Sequence, residues 1–80
     1  MIPKMNAVQL KMARVALGLT VRETAEQTGT SHDTISRLER GEVLKDATVQ
    51  KVRQALESAG VIFVAENGEG PGVRLRKAKP

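Results

Sequence analysis

The sequence predicts a mainly α-helical fold of four helices followed by a C-terminal β-hairpin. Apolar residues recur at helical spacing in four segments of the first sixty residues. A glycine, which readily ends a helix, follows each segment. These glycines are Gly18, Gly29, Gly41 and Gly60. The last twenty residues instead hold an apolar run at 61–65 and an alternating run at 73–76, separated by turn-forming residues.

These segments divide a single predicted domain, residues 1–80, into three parts. We expect a helical body at residues 6–60, a β-hairpin at 61–76 and a short basic tail at 77–80. A chain of this size buries only about 60 to 65% of the surface that its unfolded form exposes. Its stability should therefore be modest.

The net charge of +4 comes entirely from the C-terminal end. Residues 1–70 hold nine basic and nine acidic side chains, whereas residues 71–80 hold four basic side chains and no acidic one. This basic end is explained equally well as a solvated terminus or as a contact with nucleic-acid phosphates. Cysteine is absent, the longest apolar run is too short for a membrane span, and the N-terminus lacks a signal-peptide pattern. We therefore expect a cytoplasmic protein.

An apolar stripe predicts the first helix, and a capping pattern predicts the start of the second. Leu10, Ala13 and Leu17 fall on one stripe of the first helix, which Asn6 precedes. Thr20 is suited to cap the second helix. Glu23, three residues later, completes a capping box with it.

A tight turn separates the second helix from the third. Gly29 supplies the positive φ that such a turn requires, and Ser31 is suited to cap a third helix at residues 31–40. Ile35 and Leu38 should face the core, so the opposite side of this helix is polar and outward.

The fourth helix follows a short loop. Asp46 or Thr48 is expected to cap it. Its apolar stripe consists of Val49, Val52 and Leu56. We expect Lys51 and Arg53 to lie on a solvated face of this helix.

Several residues of these helices form an ordered set that is fairly specific. The set consists of Gly18-Leu19-Thr20, Ala25, Gly29, Ser31, Ile35-Ser36-Arg37-Leu38-Glu39 and Gly41. It resembles the helix-turn-helix core of the Xre family, the small Cro- and phage-repressor-like DNA-binding domains. With Leu10 and Arg14 upstream, the resemblance covers roughly residues 8 to 60.

The resemblance implies a lambda-repressor-like helix-turn-helix bundle and a sequence-specific regulator of transcription, by default a repressor, that binds double-stranded DNA. The third helix would be its recognition helix, in the major groove. The implied base contacts come from His32, Asp33, Thr34 and Arg37. The implied DNA backbone contacts come from Thr20, Ser36, Arg40 and Lys45. The resemblance also pairs Arg14 with Glu39 in a structural ion pair.

Some of these residues have a second interpretation. Arg37 is the strongest candidate for a base contact, because a guanidinium pairs with O6 and N7 of guanine. His32 is alternatively an exposed residue without a base contact, and Asp33 is better explained by the positive end of the helix dipole. Val21 replaces the glutamine that is usual in the family and that meets a phosphate. Thr24, Gln27 and Thr30 occupy positions where the family often has larger apolar residues. We therefore expect a core with fewer large apolar side chains.

The hairpin, with apolar residues on both faces, predicts a homodimer. One face needs a cover other than the helical body, and the simplest cover is a second copy of the chain. The expected interface residues are Val61, Ile62, Phe63, Val64, Val73 and Leu75. The alternative is a hairpin folded back on its own helices. A dimer would place two recognition helices about 34 Å apart and would require a pseudo-palindromic operator.

Two other functions remain open. One is an antitoxin that represses its own operon and binds a small protein toxin through the hairpin or tail. The other is a protein-interaction module that has lost DNA binding, which Val21, Asp33 and the neutral body favour. An enzyme is not expected, because the chain has one histidine, no cysteine and no evident pair of carboxylates in a cleft. We expect neither a cofactor nor a metal.

Overall fold

Four helices and a two-stranded hairpin follow one another along the chain, so the predicted fold class is confirmed. The computed structural model describes residues 5–77, and the predicted tail beyond Lys77 lies outside them. The elements are α1 (Ala7–Ala16), α2 (Val21–Thr28), α3 (His32–Glu39), α4 (Asp46–Ser58), β1 (Val61–Val64) and β2 (Gly72–Leu75). None of the helices in the described range has the length and apolar character needed to cross a membrane.

Hydrogen bonds at the helix starts shape the helix-turn-helix corner between α2 and α3. The Thr20 hydroxyl accepts from the Glu23 amide at 3.0 Å, and the Glu23 carboxylate accepts from the Thr20 amide at 2.9 Å. The predicted capping box is therefore confirmed. Gly29 ends α2 at a φ of 68°, in the left-handed region that favours glycine. Ser31 Oγ then accepts from the Thr34 amide at 3.0 Å and starts α3.

The fourth helix begins at Asp46, with Lys45 at the N-cap position and no side-chain capping hydrogen bond. The prediction that Asp46 or Thr48 caps this helix is therefore wrong. Asp46 lies in the first turn, where a negative charge interacts favourably with the helix dipole. Lys51 is exposed, and its Nζ donates to the carbonyl oxygen of Gly29 at 2.9 Å. This bond braces the corner against α4.

The core joins the helices to β1. Its buried apolar members include Leu10, Ala13, Ala25, Ile35, Val52, Leu56 and Val61. Next to α2 the core is partly polar, because Thr24 and Thr28 are buried. Their hydroxyls donate to the carbonyl oxygens of Thr20 at 2.9 Å and Thr24 at 2.8 Å, so neither is left unsatisfied. Thr30 and Gln27 were also expected to replace larger apolar residues of the core. Thr30 is half-buried, whereas Gln27 is exposed and therefore replaces no core residue.

The hairpin folds back on the helical body through one face. The strands are antiparallel, with Val61 opposite Leu75 and Phe63 opposite Val73. Directly opposite residues share a face. Val61 is 1% exposed within the core, and Phe63 and Val73 pack against that core. The prediction that Val61 belongs to a dimer interface is therefore wrong, because the chain's own helices already cover it.

The packing of the hairpin also changes the surroundings of Arg53. Its side chain is only 12% exposed, and its Nε lies 3.4 Å from Oε2 of Glu57. Its guanidinium carbon lies 4.9 Å from the ring centroid of Phe63, a cation–π distance. The prediction of a solvated Arg53 is wrong, because the hairpin lies over that face of α4.

A buried glutamine connects α1 to the hairpin. Gln9 is 3% exposed, and its Oε1 accepts from the Asn6 amide at 3.0 Å. Its Nε2 donates to the carbonyl oxygens of Val64 at 3.0 Å and Gly72 at 3.1 Å. Because Val64 and Gly72 are paired across the strands, one amide group holds both strands of the hairpin to the helix.

An ion pair connects α1 to the end of α3. Arg14 Nε donates to Oε2 of Glu39 at 2.7 Å, and Arg14 Nη2 donates to Oε1 at 3.1 Å. Arg14 Nη1 also donates to the carbonyl oxygen of Leu19 at 3.1 Å. The two side chains are 16% and 11% exposed, so water competes weakly for these bonds. This is the contact that the family resemblance implies. The hydrogen bonds with Glu39 raise the pKa of Arg14 above its ordinary value.

Glu39→Ala should destabilise the protein by about 3 kcal/mol, because Arg14 would be left nearly buried without its carboxylate partner. For a domain of this size the melting temperature should fall by about 12 °C or more. Thermal unfolding followed by circular dichroism measures this change. Glu26→Ala, which removes an exposed carboxylate from α2, is the control. A Glu39→Ala melting temperature within about 2 °C of the control would contradict the role of the pair.

Gln9→Ala should destabilise the protein by about 2 kcal/mol, since it removes two hydrogen bonds to the hairpin and part of a capping box. Urea denaturation measures the loss of stability. The variant should also accelerate hydrogen exchange more at the hairpin amides than at the amides of α3. Lys11→Ala, at an exposed position of the same helix, is the control. Equal exchange rates in the variant and in the unchanged protein would refute this account of Gln9.

Candidate nucleic-acid interface

The outward face of α3 is polar and open to solvent. At about 100° per residue, five side chains point away from the buried Ile35 and Leu38. These side chains are His32, Asp33, Ser36, Arg37 and Arg40. This set, which we call the reading face, includes three of the four residues expected to contact bases, together with Ser36 and Arg40, which were expected to contact the DNA backbone.

The fourth residue expected to contact bases, Thr34, lies at the flank of this face. It is half-buried, and its hydroxyl lies 2.9 Å from the hydroxyl of Ser31. A hydroxyl both donates and accepts, so the pair retains hydrogen-bonding capacity toward a ligand. Thr34 is therefore placed near the start of α3 but not at the centre of the reading face.

The other two residues expected to contact the DNA backbone lie at the N-termini of helices. Thr20 is the N-cap of α2 and Lys45 is the N-cap of α4, and both are exposed. Backbone amides at helix N-termini carry partial positive charge and favour phosphate. The Thr20 hydroxyl accepts from the Glu23 amide and keeps its own hydrogen for donation.

Val21 follows Thr20 at the first position of α2 and is half-buried. Its side chain packs against the core rather than standing free in solvent. An apolar side chain offers no hydrogen bond to a phosphate. At the N-terminus of α2, the groups able to bind a phosphate are therefore the backbone amides and Thr20 rather than the side chain of residue 21.

The two arginines of the reading face converge on one carboxylate, that of Glu42. Arg37 Nε donates to Oε1 of Glu42 at 3.1 Å, and Arg40 Nη2 donates to Oε2 at 3.0 Å. Asp33 Oδ2 lies 3.8 Å from Nη1 of Arg37, on the opposite side of the guanidinium. The charges of these four residues therefore cancel, although both arginines remain well exposed, at 43% for Arg37 and 63% for Arg40.

The arginines also act on the ionisation of Glu42. Hydrogen bonds from Arg40 and then Arg37 hold the pKa of this carboxyl below its ordinary value. Glu42 is thus an anion at neutral pH. It follows Gly41, just beyond the end of α3, so its position depends on how the chain leaves the helix.

Sequence reasoning did not find Glu42, and no local signal marks it, because a glutamate in a loop is usually solvated. It also missed the bond from Lys51 to Gly29, which joins residues 22 positions apart. Gln9 was missed although a signal exists. Asn6 and Gln9 have the spacing of a capping box.

The side chains of the reading face are suited to recognition of nucleic acid. Guanidinium, imidazole and hydroxyl groups on one exposed helix face match the acceptors and donors of base edges and phosphates. Within residues 5–77 there is no group of three or more His, Cys, Asp or Glu side chains arranged to hold a metal ion.

Comparison with known proteins supports this interpretation. A family model described as a helix-turn-helix domain matches residues 7–61, well over half of the chain. The match runs from the start of α1 to the first residue of β1 and includes the corner between α2 and α3. The search of curated proteins returned no match. The match indicates a DNA-binding protein: the chain belongs to the helix-turn-helix domain family.

Proposed function

We propose that this protein is a transcriptional repressor of the Xre type that recognises a specific DNA sequence with α3. The observation that carries the proposal is the reading face, which points away from the core and is open to solvent except where Glu42 bonds to its two arginines. An α-helix fits the major groove, where each base pair presents a distinct pattern of donors and acceptors. Arg37, exposed on this face, is the residue best suited to read guanine.

Affinity and specificity come from different residues in this proposal. Arg40 and Lys45 are exposed cations suited to phosphates, together with Thr20 and Ser36. His32, Asp33 and Thr34 lie at the start of α3, the part of a recognition helix that meets base edges. Three exposed basic residues, Arg74, Arg76 and Lys77, add positive charge at the end of the hairpin. Repression follows from occupation of a promoter.

We further propose that the protein binds DNA as a homodimer. Two residues of the predicted interface remain exposed, Ile62 at 42% and Leu75 at 49%. On α1, Val8 and Val15 are each 62% exposed and border an apolar groove that Val73 of β2 also lines. Exposed apolar side chains of this kind favour association. Two copies related by a two-fold axis would then read a pseudo-palindromic operator.

The same apolar groove also suits a protein partner of another kind. An antitoxin would bind its toxin there and use α3 to repress its own operon. Purification of the tagged protein from its native host separates the two functions, because an antitoxin co-purifies with a small protein in fixed stoichiometry. The charge balance on the reading face would also suit a third function, a protein-interaction module that has lost DNA binding. Titration of the protein with selected and random DNA tests this alternative.

Arg37→Ala and Lys45→Ala should weaken DNA binding in different ways. Arg37→Ala should relax base preference at one position in each half-site, at a cost of about 1 to 3 kcal/mol on the selected sequence. Lys45→Ala should weaken all sequences about equally and reduce the salt slope by about 1. Fragments selected from a random DNA pool supply the sequence, and titration at several salt concentrations measures both effects. Lys11→Ala on α1 is the control for loss of one charge. If the two variants had identical effects on selected and random DNA, the assignment of base reading to Arg37 and phosphate contact to Lys45 would be contradicted.

Leu75→Glu and Ile62→Glu should shift the protein from dimer to monomer, because each would place a charge in the proposed interface. Sedimentation should give twice 8.7 kDa for the unchanged protein and 8.7 kDa for the variants. Val43→Glu is the control, since Val43 is 97% exposed outside the hairpin. An unchanged protein that is monomeric at micromolar concentration and binds single half-sites independently would overturn the homodimer.

A further inference from the structure

We propose that Glu42 is a positioning residue that sets the DNA specificity of the reading face by orienting Arg37, and that it lowers affinity for all DNA by shielding the two arginines from phosphate. This inference rests on the proposed function and deepens it. Glu42 itself need not touch DNA, since it lies beyond the end of α3 and acts through the arginines.

The first argument is the geometry of the guanidinium. Glu42 accepts from the Nε of Arg37 and leaves both Nη nitrogens without a close hydrogen bond, because Asp33 is 3.8 Å away from Nη1. Paired acceptors, such as O6 and N7 of guanine, bind two N–H groups of one guanidinium. The contact with Glu42 therefore holds Arg37 in an orientation in which two donors remain for a base.

The second argument is the entropy of a long side chain. A free arginine loses rotamer freedom when it binds, which subtracts from affinity. Arg37 is already restrained by Glu42 on one side and lies near Asp33 on the other. Part of the rotamer entropy of Arg37 is therefore already lost in the free protein. The restrained orientation is the one that leaves two N–H donors for a base.

The third argument is charge. Non-specific affinity for DNA depends on cations that neutralise phosphates. Glu42 bonds to both Arg37 and Arg40, so a phosphate approaching either arginine also meets a fixed negative charge. The repulsion acts on every DNA sequence, whereas the oriented guanidinium favours only sequences with the right base. The repulsion therefore lowers affinity for selected and random DNA alike, and the orientation of Arg37 is what increases the ratio of specific to random binding.

Glu42→Gln tests this proposal, because it removes the charge and keeps the size of the side chain. Glu42 is exposed, and exposed ion pairs contribute little to stability, so the variant should fold with an unchanged melting temperature. Glu69→Gln, in the hairpin loop, makes the same change in net charge and is the matched control. The measured quantity is the ratio of dissociation constants for random and selected duplexes at fixed salt.

The ratio should fall about tenfold in Glu42→Gln, because random DNA binds more tightly while the selected duplex loses the oriented contact with Arg37, and it should change less than about twofold in Glu69→Gln. In the Arg37→Ala background, Glu42→Gln should lower the ratio much less, because the residue that Glu42 orients is missing and the shielding of Arg40 affects all sequences alike. A purely structural or general charge effect would be the same in both backgrounds.

Three results overturn the proposal. The first is a ratio in Glu42→Gln equal to that of Glu69→Gln, and the second is a higher ratio. The third is an equal effect of Glu42→Gln with and without Arg37. Failure of the proposed function looks different, because the unchanged protein would then show no preference for any selected sequence.

Discussion

The arrangement of this protein depends on the ion pair between Arg14 and Glu39. The pair joins the middle of α1 to the last residue of α3, and Arg14 also holds the carbonyl oxygen of Leu19 ahead of α2. One guanidinium therefore connects α1, the turn before α2 and the end of α3. Few apolar side chains are available in a chain of 80 residues, and α2 contributes two buried threonines to the core. The bidentate contact complements this partly polar packing by holding the end of α3 against α1.

The reading face combines an exposed surface with an internal balance of charge. Arg37 and Arg40 are positioned to meet DNA, yet Glu42 and Asp33 neutralise them in the free protein. Because residues 1–70 carry no net charge, the excess positive charge that attracts nucleic acid of any sequence is confined to residues 71–80. Under the proposed function, recognition then depends more on the fit between side chains and bases than on phosphate contacts alone.

The hairpin is part of the helical body rather than an appendage. Val61 lies in the core, Phe63 meets Arg53 of α4, and Gln9 of α1 bonds to both strands. Any dimer must therefore use the residues that remain exposed, such as Leu75.

The sequence by itself determined the helices, the hairpin and the corner at Gly29, because these depend on capping, periodicity and glycine conformations among residues a few positions apart. The pairing of Arg14 with Glu39 was also available beforehand, but only from family resemblance, since the two are 25 positions apart. Only the tertiary structure decided that Gln9 holds the hairpin, that Arg53 is covered and that Glu42 joins two arginines. These contacts arise when helices and strands distant in the sequence pack together, and local pattern carries no information about which polar side chains that packing brings into range.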